Sequence, residues 1–221
     1  MDCDFLAIES STIAFDRLID AGGVFVRDKR DARCGGTRTH NRNIGDITVL
    51  FGDGAGVAVV SATDGDNRIL DSKLHADGTQ YDILMAEAPA SRLNPRITHE
   101  MMEQGRHFPK MDGKKVFKNA VTAMPAVALE VLTPHGYTPA DIDLMVPHQA
   151  NLRINQMVAR TLKLRDDQVF NNIQKYGNTT AGSIPIALNE ARQAGLVKEG
   201  DLVLLTAFGA GLTWGANLIR W

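Results

Sequence analysis

Apolar and polar positions change rhythm along the chain, and the changes mark its elements. Ile47-Thr-Val-Leu-Phe51 reads as a buried strand and Val57 to Ala62 as the next, with Gly52-Asp-Gly-Ala-Gly56 as a tight turn joining them into a hairpin. Arg68 to Leu74 reads as a third strand. Residues 77–112 carry Pro89, Pro95 and Pro109 and lose any clean period, which predicts a long excursion with one short helix near 98–105. Lys114 to Leu132 has a helical period, with Val116, Phe117, Ala120, Val121, Met124, Val127 and Leu132 on one side and Pro125 expected to kink it.

Beyond that helix the elements shorten. Thr133-Pro-His-Gly136 ends the helix, and Thr138-Pro-Ala-Asp141 is a capped helical start. Ile142 to Val146 is a buried strand. The next helix spans 150–163 and turns Ile154, Met157, Val158, Thr161 and Leu162 inward. Asp167 to Asn171 is extended, Thr179 to Ala194 is a helix stopped by Gly195, and Asp201 to Phe208 and Leu212 to Trp221 are the last strands. Alternating helices and strands from 114 onward predict an α/β layered domain, with helices packed on a central mixed sheet.

The first 44 residues follow no such rhythm. A weak helical pattern at Ile13, Phe15, Leu18 and Ile19 gives way to a basic, turn-rich run through Arg27 and His40. The chain therefore divides into 1–44, irregular; 45–112, strands and excursion; and 113–221, the α/β domain.

Composition narrows the function. The 221 residues are 44% hydrophobic and 23% charged, ordinary values for a chain that buries a core. A net charge of −2 offers no general attraction for nucleic acid or an anionic membrane. No apolar run reaches the roughly 18–20 residues that span a bilayer, and the start lacks a signal-peptide pattern, so a cytoplasmic protein is expected. Cys3 and Cys34 fit neither a metal spacing nor a disulfide framework.

Two residues stand where α/β sheets collect catalytic groups, at junctions leading into helices. His148 follows a strand, and can act as acid, base or donor, or cap the helix that begins at Ala150. Asn178 precedes a helix and can equally be its N-cap. The small residues Thr180 to Ser183 read as close helix packing. Gly209-Ala-Gly211 is either a strand bulge or a source of backbone N–H donors for an oxyanion. Arg153 and Arg160 lie seven apart on one helix side, with Lys118 on the preceding helix; they form a solvated face or a site for phosphate or an acidic protein. His40, His75, His99, His107 and His135 show no ligand spacing and read as surface or structural. Trp214 and Trp221 read as sheet packing.

Taken together these segments resemble one family. Val146-Pro-His148-Gln-Ala-Asn-Leu-Arg153-Ile resembles the histidine signature of β-ketoacyl-acyl-carrier-protein synthase III, and Gly177-Asn178-Thr-Thr-Ala-Gly-Ser-Ile-Pro-Ile-Ala-Leu188 its asparagine signature. Phe51-Gly-Asp-Gly-Ala-Gly56, Leu74-His-Ala-Asp-Gly78 and Ala207-Phe-Gly-Ala-Gly-Leu-Thr-Trp-Gly215 are similar to further family segments, in family order, from about residue 45 to the end.

The resemblance implies a thiolase-like layered α/β fold. This chain would hold its second half, helices on a mixed five-stranded-type sheet, plus a remnant of the first. It implies decarboxylative condensation of an acyl-CoA with malonyl-ACP in fatty-acid biosynthesis, with no cofactor or metal, by a homodimer. His148 and Asn178 would hold the malonyl thioester oxygen. Gln149, Ala150, Asn151, Leu152 and Arg153 would meet acyl carrier protein, extended by Lys118 and Arg160, with Asn151 also reaching the pantetheine arm. Phe208, Gly209 and Gly211 would line the site, although Ala210 replaces an expected glycine. The family's nucleophilic cysteine, in an Ala-Cys-x-Gly-Phe-like context, has no counterpart here, because neither Cys3 nor Cys34 has that setting. The chain is thus expected to be an incomplete synthase. The alternative is a non-condensing or truncated member that binds carrier protein or a full-length partner without turnover.

Overall fold

A computed structural model describes residues 5–6, 24–28, 50–60 and 62–221. Cys3, Cys34, the helical pattern at 13–19, the basic run beyond Asp28 and residues 47–49 lie outside the described residues. The first elements are β1 (Phe5–Leu6), β2 (Val24–Asp28) and β3 (Gly54–Ala58), which form an antiparallel sheet in the order β1-β3-β2. This corrects two expectations. Gly54–Ala58 is a strand and not a hairpin turn, and its partners come from far earlier in the chain. Arg27 and Asp28, expected in an irregular run, end β2.

The glycines of this segment allow backbone to approach backbone. A Cβ on Gly52 would lie 1.8 Å from the Tyr176 carbonyl oxygen, and one on Gly56 would lie 2.5 Å from the Pro185 ring. No other residue fits at Gly52 without moving the main chain.

β4 (Arg68–Ala76) opens the second sheet. The excursion that follows is more ordered than its sequence pattern suggests. A 3-10 turn at Gly78–Ile83 leads into β5 (Leu84–Ala86), then α1 (His99–Glu103) near the expected position, then β6 (Pro109–Met111), which pairs antiparallel with β5. α2 (Gly113–Leu132) follows, capped by Asp112, whose carboxylate accepts the Lys115 N–H, and holds Pro125 buried within one helix.

The remaining elements are β7 (Leu144–Pro147), α3 (Leu152–Leu162), α4 (Ile173–Tyr176), α5 (Ser183–Gln193), β8 (Leu202–Gly209) and β9 (Thr213–Arg220). The second sheet runs β4-β9-β8-β7, antiparallel except for the parallel β7–β8 pair. Val169 adds one parallel bridge to Met145, at the outer side of β7.

Strand alternation explains the layers. On β8, Leu202 and Leu204 face one cluster and Val203 the other; on β7, Met145 faces the first and Leu144 and Val146 the second. The first cluster takes Ala120, Met124, Val127 and Val131 from α2, with Ile154, Val158 and Leu162 from α3. The second takes Ala187, Leu188 and Ala191 from α5. Apolar residues on both faces read as a continuous run, the pattern of a strand covered on both sides. Trp214 packs against the first cluster and Trp221 against the second, as their sequence context suggested.

Two helix expectations change. Met157 is 38% exposed and Thr161 is exposed as well, and Asn155 is buried instead on the inner face of α3. α2 is long and apolar enough to cross a bilayer, contrary to the count of apolar runs. Most of its apolar residues pack in the first cluster, while Leu129 is exposed.

Candidate active site

The site forms where β7 ends. The His148 N–H donates to the Thr206 carbonyl at 2.8 Å, one step past the Pro147–Thr206 register pair, so the β7–β8 ladder fixes the His148 backbone. The cap of α3 is Asn151, whose side-chain oxygen accepts the Arg153 N–H at 2.9 Å. His148 is therefore not a helix cap. Its Nδ1 lies 2.6 Å from Ser183 Oγ, and its ring borders a cavity. The ring is only half-buried by exposed surface, but atoms crowd it, and burial pushes its pKa down to about 4. The imidazole is neutral at neutral pH.

Asn178 is held by strand-like bonds to the glycine segment. Its N–H donates to the Leu50 carbonyl at 2.8 Å, and its carbonyl accepts the Gly52 N–H at 3.0 Å. Its side-chain oxygen accepts the Thr180 N–H at 2.8 Å, a local turn bond; α5 begins only at Ser183 with Gly182 at its cap position, so Asn178 is not the helix N-cap that its sequence position suggested. With Oδ1 so engaged, the amide presents Nδ2 as its donor end. Glu190 steadies the same loop from α5. One carboxylate oxygen accepts from Tyr176 Oη at 2.5 Å and Lys175 Nζ at 2.6 Å, and the other accepts from Asn172 Nδ2 at 2.7 Å.

His148, Asn178 and Phe208 all border one cavity of about 1380 Å³. Its walls are mainly apolar, with Leu84, Met85, Met111, Phe117 and Met124 on the inner side, and Lys114 and Arg153 also bordering it. Phe208 is buried, its ring 6.3 Å from that of Trp214, which stacks in turn on His75. Gly209 and Ala210 form part of the wall. Gly211 does not: it sits at φ +140° in the turn, and the next residue, Leu212, pairs with the Asp77 backbone.

The expected carrier-protein stretch divides. Gln149 is 1% exposed, so it offers no surface to a partner. Its amide nitrogen donates to the Pro147 and Phe170 carbonyls, and its oxygen accepts the Asn172 and Ile173 N–H groups. Ala150 is half-buried, whereas Asn151, Leu152 and Arg153 are exposed, as are Lys118 and Arg160. Of the other described histidines, His75 also borders the cavity. His75 Nε2 lies 2.6 Å from Glu130, and His135 lies 3.6 Å from Asp71. Among the described residues no cluster of His, Cys, Asp and Glu could hold a metal.

Sequence reading missed the contributions of Ser183 and Lys114. The sequence context of Ser183, among Thr180, Ala181 and Gly182, reads as close helix packing. Nothing in the local pattern signals that its hydroxyl reaches a ring 35 positions away.

A mixed sheet between helical layers, with His148 and Asn178 bordering one mainly apolar cavity, defines a thiolase-like α/β protein. The family model for the C terminal of 3-oxoacyl-[acyl-carrier-protein] synthase III matches residues 132–221, and the companion synthase III model matches residues 36–78. A β-ketoacyl-[acyl-carrier-protein] synthase III from Caldanaerobacter subterraneus is 49% identical over 173 residues, covering 78% of this chain and 52% of that protein. The crystal structure of the synthase III from Aquifex aeolicus aligns with a TM-score of 0.70 at 43% identity, covering 80% of this chain and 52% of the other. That from Thermus thermophilus aligns at 0.71 with 42% identity, covering 82% and 54%. The chain belongs to the 3-oxoacyl-[acyl-carrier-protein] synthase III family. It spans about half the length of the relatives it matches.

Proposed function

We propose that this chain carries the malonyl-handling half of a β-ketoacyl-ACP synthase III site. A malonyl thioester enters the apolar cavity with its carbonyl oxygen between the Nε2–H of His148 and the Nδ2–H of Asn178. The bond between the α-carbon and the carboxylate breaks, carbon dioxide leaves, and the electron pair passes into the thioester as an enolate. Two fixed donors stabilise the charge that grows on oxygen. The observation that carries this reading is that His148 and Asn178, brought from two separate elements, border the same mainly apolar cavity, with Asn178 Oδ1 already engaged by the Thr180 N–H.

The thioester arrives on acyl carrier protein, with Asn151, Leu152 and Arg153 as its contact and Arg160 and Lys118 extending the basic surface. Gln149 supports that stretch from beneath. Carbon–carbon bond formation with an acyl-CoA further requires a thiolate nucleophile, a role the settings of Cys3 and Cys34 do not favour. The division at 44 and 112, the homodimer, a cytoplasmic setting and the lack of a cofactor belong to the same reading. The second reading, a non-condensing member that binds carrier protein without turnover, rests on those cysteine contexts.

Incubation with malonyl-ACP labelled in its free carboxyl tests the first reading. Slow release of labelled carbon dioxide supports it. Folded protein that releases none overturns it and leaves the non-condensing reading. Iodoacetamide labelling with peptide mapping separately tests Cys34, which is expected to be unreactive.

A further inference from the structure

Ser183 is the first residue of α5 and is 2% exposed. Its Oγ accepts the Gln149 N–H at 3.2 Å and lies 2.6 Å from His148 Nδ1. A hydroxyl carries one hydrogen and can accept two bonds. With the Gln149 N–H occupying one acceptor position, two arrangements remain. In the first, Ser183 donates to Nδ1, which then holds a lone pair and leaves the ring proton on Nε2. In the second, Nδ1–H donates to Ser183, and the serine hydrogen is left without an acceptor in a buried place. Among the described residues Ser183 makes no other side-chain bond. A buried donor without a partner is costly, so the first arrangement prevails.

We infer that Ser183 is a positioning residue that fixes the tautomer of His148, so that Nε2 always presents an N–H to the cavity. The inference rests on the donor role proposed above for His148. It assigns a use to a hydroxyl whose sequence context suggested packing alone. It also gives the packing of α5 against the end of β7 a consequence for chemistry. The helix start delivers Ser183, the β7–β8 ladder delivers His148, and their contact decides which ring nitrogen faces the ligand. An Nε2 lone pair directed at a developing oxyanion would repel it, so the tautomer decides whether the ring assists or hinders.

The tautomer can be read without turnover. In long-range proton–nitrogen spectra of the full chain labelled with nitrogen-15, His148 is expected to show a protonated Nε2 and an unprotonated Nδ1. A wild-type ring protonated on Nδ1 overturns the inference, even if no variant folds. Ser183→Ala is expected to populate the other tautomer and to slow carbon dioxide release from malonyl-ACP by about tenfold, through kcat more than KM, the scale of one lost hydrogen bond. Ser183→Thr retains a hydroxyl and is expected to restore the Nε2–H form. An unchanged tautomer in Ser183→Ala overturns the inference. A changed tautomer with unchanged release upholds the lock and overturns the donor role of His148 instead.

Discussion

Gln149 Oε1 accepts the backbone N–H of Asn172 at 3.1 Å and thereby ties the strand end carrying His148 to the loop that leads to Asn178. The same side chain bonds Pro147, Phe170 and Ile173. Four bonds from one buried amide span the base of the site. Removing it strands main-chain groups away from water, which costs more than the bonds themselves contribute. Gln149→Ala is expected to destabilise the protein by about 2–4 kcal/mol in urea denaturation, through lost bonds and a cavity. A cost under about 0.5 kcal/mol, the range of ordinary surface substitutions, would remove Gln149 from this role.

The buried imidazole gives stability a pH dependence. Unfolded, His148 titrates near its ordinary pKa of about 6.5; folded, burial lowers the value to about 4. Between these values the unfolded state binds more protons, so stability rises with pH across that window. Its contribution is lost as pH falls from about 6.5 towards 4, by roughly 3 kcal/mol in total. His148→Gln cannot titrate, so the difference between wild type and variant in melting temperature is expected to change across pH 4–6.5 and flatten above it. A constant difference across that range contradicts burial of a neutral ring.

Glycine substitutions separate close approach from simple turns. Gly52→Ala places a Cβ 1.8 Å from the Tyr176 carbonyl oxygen, a main-chain atom that cannot swing aside. The Phe51–Asn178 bridge beside it is expected to break, with a loss of about 3 kcal/mol or more and loss of any Asn178-dependent activity. At Gly113 nothing lies near the new Cβ, so Gly113→Ala is expected to be neutral within about 0.5 kcal/mol. Equal effects at the two sites would refute the packing described for Gly52.

Carrier-protein binding is predicted to be electrostatic. Arg153 is exposed and borders the cavity mouth, and Arg160 is exposed one heptad along α3. Arg153→Glu is expected to weaken binding of acyl carrier protein about tenfold or more at low ionic strength, less at high salt, with melting temperature unchanged. Calorimetry at two salt concentrations measures this. Salt-independent affinity in wild type contradicts it.

Much of the α/β domain was legible because its signals are periodic. Apolar spacing located α2, α3 and α5 to within a few residues, and the last two strands were read close to the observed limits of β8 and β9. The glycine segment was misread, since a Gly-rich stretch flanked by apolar runs has the sequence of a hairpin turn. It is a strand because it pairs with the distant β1 and β2, and it is glycine-rich because Tyr176 and Pro185 lie against it. β5 and β6 were missed because three-residue strands set among prolines carry no period. That His148 and Asn178 would border one cavity was legible through their motifs. Gln149 was misassigned to the surface, because sequence places it among exposed neighbours and does not show which way its side chain turns. Ser183 was recognisable as small but not as a donor, since its partner comes from another element.

The most direct test of the site is carbon dioxide release from malonyl-ACP by wild type, His148→Ala, Asn178→Ala and the double variant, each shown to be folded. Two donors on one oxyanion should each contribute about 10²–10³ in rate. Because they act on the same oxygen, the double variant should lose less than the product of the single losses. That pattern is predicted. Release that survives unchanged in either single variant would contradict a shared oxyanion site at His148 and Asn178.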